Sequence, residues 1–383
     1  MLIGIVFDIA SRYSRLESIT FMSIVKEIDQ FLISCIEAGD FPGAVYLIAE
    51  GKNIIAFGAC GNSVVTPEKK PITLDTIFDL ASVTKPLVTG MLLAQFLEEK
   101  LISLEQPISD LLLEFNTADK QAITIAQVAS HSAGFINWLP FYALAKEPKQ
   151  ILNIIAQEPL VYAPGKKVIY SDLSYITLGL LLAKIAGKPL DELLRQRFLE
   201  PLNLKNTCFN PPKAWKQKIA ASETGNQYEK KLAGEKAKNY SAWRENVIWG
   251  TVHDANAYFL GGVAGHAGLF SNAEEVFQLA QQFLPGSLLL KESSLALFEK
   301  NLTLGCEEGR SLCWLLAGFG VNAGNTLPSH CFGHVGFTGT SLWLDRVKSR
   351  VYILLANRTH PFYQDFNMND RRRYFHKLAQ QIF

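Results

Sequence analysis

The chain has 383 residues, of which 48% are hydrophobic and 19% are charged, so it can bury a large core and is long enough for two lobes. Thirty-seven basic residues against 36 acidic ones leave a formal charge of +1. This balance gives no electrostatic reason to expect nucleic acid or an anionic membrane as a partner, and it favours a small-molecule or peptide substrate.

The N-terminal stretch MLIGIVFDIASRYSRL contains an apolar run, but it lacks preceding basic residues and a small-residue cleavage site. It is therefore not typical of a secretory signal, which favours the cytoplasm and leaves a periplasmic or exported location open. An amphipathic helix pattern begins at Met22, which predicts that residues 1–21 are an N-terminal extension outside the fold. No run reaches the about 18 uninterrupted apolar residues of a membrane span, so we expect no stable membrane insertion.

Strand patterns stand near both ends of the chain. Two apolar strands around a glycine-containing turn are predicted over residues 44–61, and a second strand pair over residues 340–358. A terminal helix opens at Asp370, and its arginine triplet at 371–373 is predicted to be a solvated face. Between the strand groups, residues 82–285 have mostly helical patterns.

This order of elements predicts an α+β fold. We expect an antiparallel sheet built from both chain ends and flanked by helices, an inserted, mostly helical lobe, and a cleft where the two meet. The predicted organisation is a single domain over residues 22–383, with a sheet lobe of about residues 22–80 plus 286–383 and a helical lobe of about residues 81–285.

The stretch FDLASVTKPLVTG, residues 78–90, places Ser82 and Lys85 three residues apart. On a helix they share a face, so the amine can act as base for the hydroxyl if burial or neighbouring cations keep it partly neutral. Pro86 is tolerated only near a first turn, which places Ser82 at a helix N-terminus, where free N–H groups stabilise a developing anion. Spacing alone is weak evidence, because SIVK at 23–26 shares it. Taken alone, the stretch favours a helix N-cap and a surface lysine.

Two later stretches change this interpretation. VIYSDLSYITLGLLLAKIAG contains Tyr-Ser-Asp at 170–172, and CFGHVGFTGTSLWLD contains His-Val-Gly at 334–336. With these three ordered motifs, the sequence resembles the serine β-lactamase and penicillin-binding protein superfamily from about Phe41 to the C-terminus. The branch it resembles comprises class C β-lactamases, D-alanyl-D-alanine carboxypeptidases and related esterases, which implies a β-lactamase/transpeptidase-like fold.

The resemblance implies a role for each of the first two motifs. Ser82 would be the acylated nucleophile, and Lys85 its partner. Tyr170 would take part in proton transfer to and from the serine and the leaving group. Because a phenol titrates at about 10, this role needs nearby cations such as Lys85 to favour phenolate or a shared proton. Asp172 stands where the family has asparagine, so an amide donor is lost and a charge is gained.

The triplet at 334–336 matches the family's Lys-Thr-Gly or His-Thr-Gly on the strand that lines the cleft. His334 would replace the lysine as an electrostatic and hydrogen-bonding group. Val335 lacks the hydroxyl that often meets a substrate carboxylate, and together these departures weaken a specific claim of β-lactamase activity. The implied oxyanion hole consists of the backbone N–H groups of Ser82 and Phe337. The expected substrate-binding residues are Asp172, His334, Gly336 and Phe337.

The remaining histidines are not predicted to catalyse. His131 is predicted to pack and cap after a helix. His253, Asp254 and His266 admit a metal-site interpretation, but no HExxH-type spacing supports it, and the glycines of GGVAGHAGLFS at 261–271 better fit a tight backbone path beside the cleft. The six cysteines lack ligand spacing, so we expect free, mostly buried thiols, no metal and no cofactor.

The leading hypothesis is a serine hydrolase that acts through an acyl-enzyme on an amide or ester, with D-alanyl peptides of peptidoglycan or small esters as substrates. One alternative is a catalytically weak penicillin-binding or cell-wall-peptide sensor module that uses the same cleft. Another is a metal-dependent hydrolase that uses His253 and His266. The oligomeric state is left open.

Overall fold

The computed structural model describes residues 3–5, 15–320 and 322–383. Strands β1 to β11 are, in chain order, Ile3–Ile5, Gly43–Glu50, Asn53–Val64, Lys70–Pro71, Phe78–Asp79, Cys208–Phe209, Leu269–Ser271, Leu315–Leu316, Phe332–Val335, Ser341–Asp345 and Arg350–Ala356. Helices α1 to α13 are Arg15–Glu37, Met91–Glu98, Ile125–Ala129, Phe141–Leu144, Ile151–Gln157, Asp172–Ala186, Leu190–Leu194, Glu200–Leu202, Gln227–Ala233, Ala255–Phe259, Ala273–Ala280, Glu292–Leu295 and Met368–Gln380.

The central element is an antiparallel sheet in the order β1-β3-β2-β11-β10-β9-β8, with β4 paired to β3. Strand β2 pairs with β11 from Ala44 opposite Ala356 to Glu50 opposite Arg350, so strands near the two ends of the chain are neighbours. A smaller sheet has the order β5-β7-β6. The predicted fold, an antiparallel sheet built from both ends and flanked by helices, is confirmed.

Both faces of the central strands are buried, because alternating side chains enter two different cores. On one face Tyr46 and Ile48 pack in a cluster with Leu32 of α1 and Phe375 of α13. On the other face Leu47 belongs to the larger core that also contains the inserted helices. Helix α11 packs against β2 and β11 on this second side. The sheet therefore supports the residues of β9, its next-to-last strand.

The N-terminal bounds differ from those predicted. Helix α1 begins at Arg15 rather than at Met22, and β1 pairs with β3 at Ile3 opposite Ala59. The rest of the predicted extension, residues 1–2 and 6–14, lies outside the described residues. Helix α11 falls in the range predicted for the helical lobe although it packs on the sheet, and the division into two lobes stays a prediction.

Two other expectations concern helices and cysteines. Within the described residues no single helix is long and apolar enough to cross a membrane. The pair Asp172–Ala186 and Leu190–Leu202 meets that test by length and composition only, and it is bent by 74°.

All six cysteines are free and four of them are buried, as the sequence predicted.

A pair of glycines brings α6 against the loop that precedes β7. A Cβ atom added to Gly265 would lie 2.2 Å from the carbonyl oxygen of Tyr175 and 2.8 Å from Cα of Gly179. No larger residue fits there unless the backbone moves. On its other side the loop accepts a hydrogen bond of 2.7 Å from Thr89 Oγ1 to the Gly265 carbonyl. The glycine-rich loop is thereby fixed beside the cleft, as its composition predicted.

We predict that Gly179→Ala destabilises the protein, although alanine is ordinarily favoured over glycine inside a helix by about 1 kcal/mol. The new Cβ would lie 2.8 Å from both Cα and N of Gly265, and overpacking of this kind costs about 1–3 kcal/mol. Chemical denaturation of wild type and variant measures the difference. A free energy of unfolding that is unchanged or raised would contradict the close contact.

Candidate active site

Ser82 lies on a strained turn directly after β5. The turn begins a helix of changing pitch, with a 3₁₀ segment at Ala81–Val83, a π-helical segment at Lys85–Gly90, and then α2. Ala81 has a φ of +46°, a left-handed conformation that costs a non-glycine residue about 1–2 kcal/mol. The carboxylate of Asp79 holds the turn, because it accepts the N–H groups of Ala81 at 2.9 Å and His253 at 2.7 Å. Hydrogen bonds to Asp79, in the strand that precedes the serine, thus stabilise the strained turn.

Lys85 is fully buried, and its ammonium group contacts three acceptors from separate segments. Lys85 Nζ donates to Ser82 Oγ at 2.9 Å and to the His266 carbonyl at 3.0 Å. It also forms a 2.7 Å salt bridge with Asp172 Oδ1. Burial acts to lower the pKa of Lys85, but the negative charge of Asp172 opposes it, and the net pKa is raised. Lys85 is therefore an ammonium in the resting site.

Tyr170 is buried between two cationic side chains. Its ring centroid lies 4.9 Å from Lys85 Nζ and 5.5 Å from Arg310 Cζ, and the ring of His131 packs on it at 4.5 Å between centroids. Its hydroxyl lies beside the side chains of Lys85 and Ser82. Burial raises the pKa of Tyr170 by more than the charge of Lys85 lowers it. The resting side chain is a neutral phenol.

These protonation states correct two expectations. From the sequence, Lys85 was expected to be partly neutral and Tyr170 to be held as phenolate or to share a proton, whereas the resting structure favours the ammonium and the phenol. The physical reason is Asp172, which stands at the N-terminus of α6, where a negative charge is favoured. From there it stabilises the positive charge of Lys85 and opposes a second negative charge on Tyr170.

His334 lies on β9 with 2% of its surface exposed. Burial, followed by the charges of Lys85 and Arg310, lowers the pKa of His334 well below its ordinary value, so the ring is neutral. Nδ1 lies 3.0 Å from the Val335 carbonyl, which makes Nδ1 the protonated nitrogen. Nε2 is buried without a hydrogen bond in the described residues. His334 is therefore available as an acceptor and does not replace the charge of a lysine.

Gly336 allows the third motif to touch the turn that carries the serine. A Cβ atom at this position would lie 2.0 Å from Thr340 Oγ1 and 2.5 Å from the Leu80 carbonyl, so only glycine fits. The Thr340 hydroxyl donates to the Leu80 carbonyl at 2.9 Å, and the Thr338 hydroxyl to the Asp79 carbonyl at 2.8 Å. These bonds join the end of β9 to the segment that precedes Ser82.

Phe337 follows in the same turn. Its ring stacks on Tyr363 with 5.3 Å between centroids and on His253 with 5.6 Å. Its carbonyl accepts a 2.9 Å hydrogen bond from Arg358 Nε, while its N–H donates to no other backbone group in the described turns and loops. A fixed ring and carbonyl with a free N–H suit the predicted role of this amide in an oxyanion hole.

The histidines of the alternative metal site are each paired with a carboxylate. His253 Nε2 lies 3.0 Å from Glu223 Oε2, and His266 Nε2 lies 3.0 Å from Asp254 Oδ1. Within the described residues, the one group of three potential ligand atoms that lie close together is elsewhere, at His330, Cys331 and Asp345. His131 accepts the Ser171 N–H at 3.0 Å and packs on Tyr170, which confirms its packing role.

Three arginines that the sequence analysis missed line a cavity of about 440 Å³ beside Ser82 and Tyr170: Arg310, Arg358 and Arg372. Arg310 is paired with Glu308. The acceptors of Arg358 and Arg372 in the described residues are all neutral, namely the carbonyls of Phe337 and Phe366 for the first, and Gly336 O, Thr340 O and Asn369 Oδ1 for the second. Burial, then the charge of Arg358, lowers the pKa of Arg372 to about 9.

The prediction of a solvated arginine triplet is therefore wrong for one of its members. Arg371 and Arg373 pair with Asp40 and Asp370 near the surface, whereas Arg372 is 5% exposed and faces the cavity. Consecutive helix residues point in directions about 100° apart, so one of three can face inward. Arg310 and Arg358 lie outside helices, in segments without a periodic pattern that could have indicated them.

A model of the Beta-lactamase family matches residues 28–376. The "Putative D-alanyl-D-alanine carboxypeptidase" of Escherichia coli (strain K12) is 30% identical over 367 residues, which cover 88% of this chain and 82% of that protein. The N-acetylmuramyl-L-alanine amidase of Bacillus subtilis (strain 168) is 31% identical over 372 residues, with 88% and 81% covered.

Solved structures show the same fold at lower identity. EstCE1, described as a hydrolase with promiscuous acyltransferase activity, superposes with a TM-score of 0.72 at 22% identity and covers 95% of this chain and 99% of its own. The Beta-Lactamase/D-Alanine Carboxypeptidase from Pseudomonas syringae has a TM-score of 0.71 at 17% identity, with 94% and 98% covered.

We predict that Asp172→Asn moves the pH dependence of Ser82 acylation to lower pH by roughly 1–3 units. Without the charge of Asp172, burial dominates and the pKa of Lys85 falls. The same change removes a contribution that raises the pKa of Tyr170, so both candidate bases lose their protons at lower pH. The rate of labelling by a fluorophosphonate, followed by intact mass across pH, measures the shift. An unmoved profile would contradict the role of Asp172, and Asp191→Asn, at an exposed site on α7, is the matched control.

Proposed function

The chain belongs to the beta-lactamase family and is a serine hydrolase, and we propose that it removes a C-terminal D-alanine from peptidoglycan-derived peptides. Ser82 is the nucleophile in this proposal, and Lys85 and Tyr170 transfer the protons. The observation that carries the proposal is the pair of buried arginines, Arg358 and Arg372, beside the nucleophile.

Acylation begins when Ser82 Oγ attacks the carbonyl carbon of the scissile amide. The hydroxyl proton passes to Lys85, 2.9 Å away, in the form that has lost one proton, and the N–H groups of Ser82 and Phe337 stabilise the oxyanion. Tyr170 donates its hydroxyl proton to the leaving amine and regains one from Lys85. Water then attacks the acyl-enzyme ester, which releases the shortened peptide as a carboxylic acid and returns a proton to Ser82 Oγ.

The arginines point to a leaving group with a carboxylate. A buried cation without an anionic partner is costly, and Arg358 and Arg372 have only neutral acceptors in the described residues. A carboxylate bound in their cavity would supply the missing negative charge, and guanidinium groups bind carboxylates with two parallel hydrogen bonds. In a carboxypeptidase reaction, the leaving amino acid carries such a carboxylate one carbon from the cleaved bond.

Two alternative functions, an amidase and a sensor module, would give products different from those of a carboxypeptidase. The amidase relative is named for N-acetylmuramyl-L-alanine. Where that alanine continues into a peptide, its carboxyl group forms the next amide, and the leaving group has no free carboxylate beside the cleaved bond. A sensor module would acylate Ser82 and release nothing. The cationic cavity favours the carboxypeptidase reaction over removal of a whole peptide from the sugar, because only in the former does the leaving group carry a carboxylate beside the cleaved bond.

The decisive experiment incubates N-acetylmuramyl pentapeptide ending in D-Ala-D-Ala with wild type and Ser82→Ala, and identifies products by mass spectrometry. We expect wild type alone to release one alanine. Release of the whole pentapeptide from the sugar would indicate an amidase. A lasting adduct on Ser82 without product would indicate a sensor module.

We predict that replacing the terminal carboxylate of the peptide by a carboxamide lowers kcat/KM by roughly 10- to 100-fold, the loss expected for a charge-assisted hydrogen bond. The change is made in the substrate, so the folding of the enzyme is not disturbed. In Arg358→Gln the acid and the amide should differ less than in wild type. Equal kcat/KM values for the two peptides in wild type would show that the arginines do not bind the carboxylate.

A further inference from the structure

Three side chains with metal-binding atoms meet at the start of β9, at the opposite end of this strand from the turn that contacts the serine segment. They are His330, Cys331 and Asp345, and one potential ligand atom of each lies within 4.8 Å of the other two. None of the three lines a cavity that contains Ser82. The cluster is therefore separate from the candidate active site.

The pairing of β9 with β10 accounts for two of the three positions. Phe332 lies opposite Leu344, so the next position in this antiparallel register sets Cys331 opposite Asp345. Directly opposed side chains project from the same face of a sheet, with Cβ atoms about 4.5–5.5 Å apart. At that separation the thiol and the carboxylate can share one ion.

His330 supplies the third atom from the turn that precedes β9. Its Nε2 lies 2.9 Å from Asp345 Oδ1, which also accepts the Lys348 N–H at 2.9 Å. A metal ion bound to Nε2 would take the place of the proton between the ring and the carboxylate. The side chain of His330 is 39% exposed, which gives an ion a path from solvent.

Asp345 is a buried carboxylate without a permanent counter-charge. It is 2% exposed, and its one salt-bridge partner in the described part of the chain is His330, whose ring is charged only when it is protonated. Arg350 lies opposite Asp345 on β11 but pairs with Glu50. Buried carboxylates are stabilised when they are paired or coordinate a metal, and here a metal ion would supply the missing positive charge.

We propose that His330, Cys331 and Asp345 bind one Zn²⁺ ion, with a water molecule as the fourth ligand. Imidazole, thiolate and carboxylate are the side-chain ligands of zinc, and a set of three protein ligands and one water is common. Mg²⁺ and Ca²⁺ prefer oxygen ligands. On binding, the thiol proton of Cys331 is released to solvent and the thiolate sulfur coordinates the ion.

The expected role of this ion is structural. It would join the start of β9 to the end of β10, and β9 carries His334 at the cleft. The inference does not rest on the proposed function, and it departs from the sequence-based expectation of no metal. No ligand spacing could have indicated the site, because the third ligand comes from the neighbouring strand and is brought close only by the strand register.

Co²⁺ tests the thiolate ligand directly, because Co²⁺ bound at a zinc site by thiolate gives an ultraviolet charge-transfer band that oxygen and nitrogen ligands do not give. We expect the band when Co²⁺ is added to the metal-free full chain, and its loss when Zn²⁺ is added. Cys331→Ser should lack the band, whereas the matched control Cys306→Ser, at a half-buried free cysteine, should keep it. No band in wild type, or an unchanged band in Cys331→Ser, would overturn the proposal.

A second variant decides the matter if Cys331→Ser does not fold. His330→Gln changes a partly exposed side chain and should weaken Zn²⁺ binding by at least roughly tenfold in competition with a chromophoric chelator. Zn²⁺ should also raise the melting temperature of wild type more than that of His330→Gln, because binding to the folded state stabilises it, and Mg²⁺ should raise neither. Equal Zn²⁺ affinities of wild type and His330→Gln would show that zinc binds elsewhere and would refute the site.

Discussion

Lys85 carries its charge into the protein interior, where no part of the side chain is exposed. A buried ammonium without partners would cost several kcal/mol, and its acceptors come from three segments that are distant in sequence: the serine turn, the start of α6 and the loop before β7. The charge is therefore stable only when these segments are assembled. The close glycine contacts at Gly265 and Gly336 serve the same end, because they let backbone approach backbone where a side chain would hold the segments apart.

Asp172 links this stability to reactivity. The same salt bridge that retains the ammonium removes the free base that serine acylation needs, so the resting site is stable and weakly basic. An asparagine at this position would offer an amide without a charge, and burial would then favour the neutral amine. The aspartate thus places the reactive form of the enzyme at higher pH than an amide would.

The sequence alone predicted those features that are encoded in short, local patterns of residues. The apolar runs at 44–61 and 340–358 predicted strands that pair at the centre of the sheet. The motifs that indicated Ser82, Lys85 and Tyr170 meet in the structure, and their catalytic roles stay predictions. The sequence did not predict features of a side chain that depend on residues distant in the sequence, such as a protonation state or a direction of packing. The protonation of Lys85 requires knowing that Asp172 touches it, and the inward direction of Arg372 is set by the packing of α13 on the sheet.

The charge distribution explains the departures in the third motif. A lysine at position 334 would place a cation beside Lys85 and Arg310, whereas the neutral histidine leaves the positive charge to Arg358 and Arg372, which line the same cavity. The hydroxyl that Val335 lacks is not replaced by Thr338 or Thr340, since both donate to the serine segment. In the proposed reaction, recognition of the substrate carboxylate therefore falls to these two arginines and not to the side chains of β9.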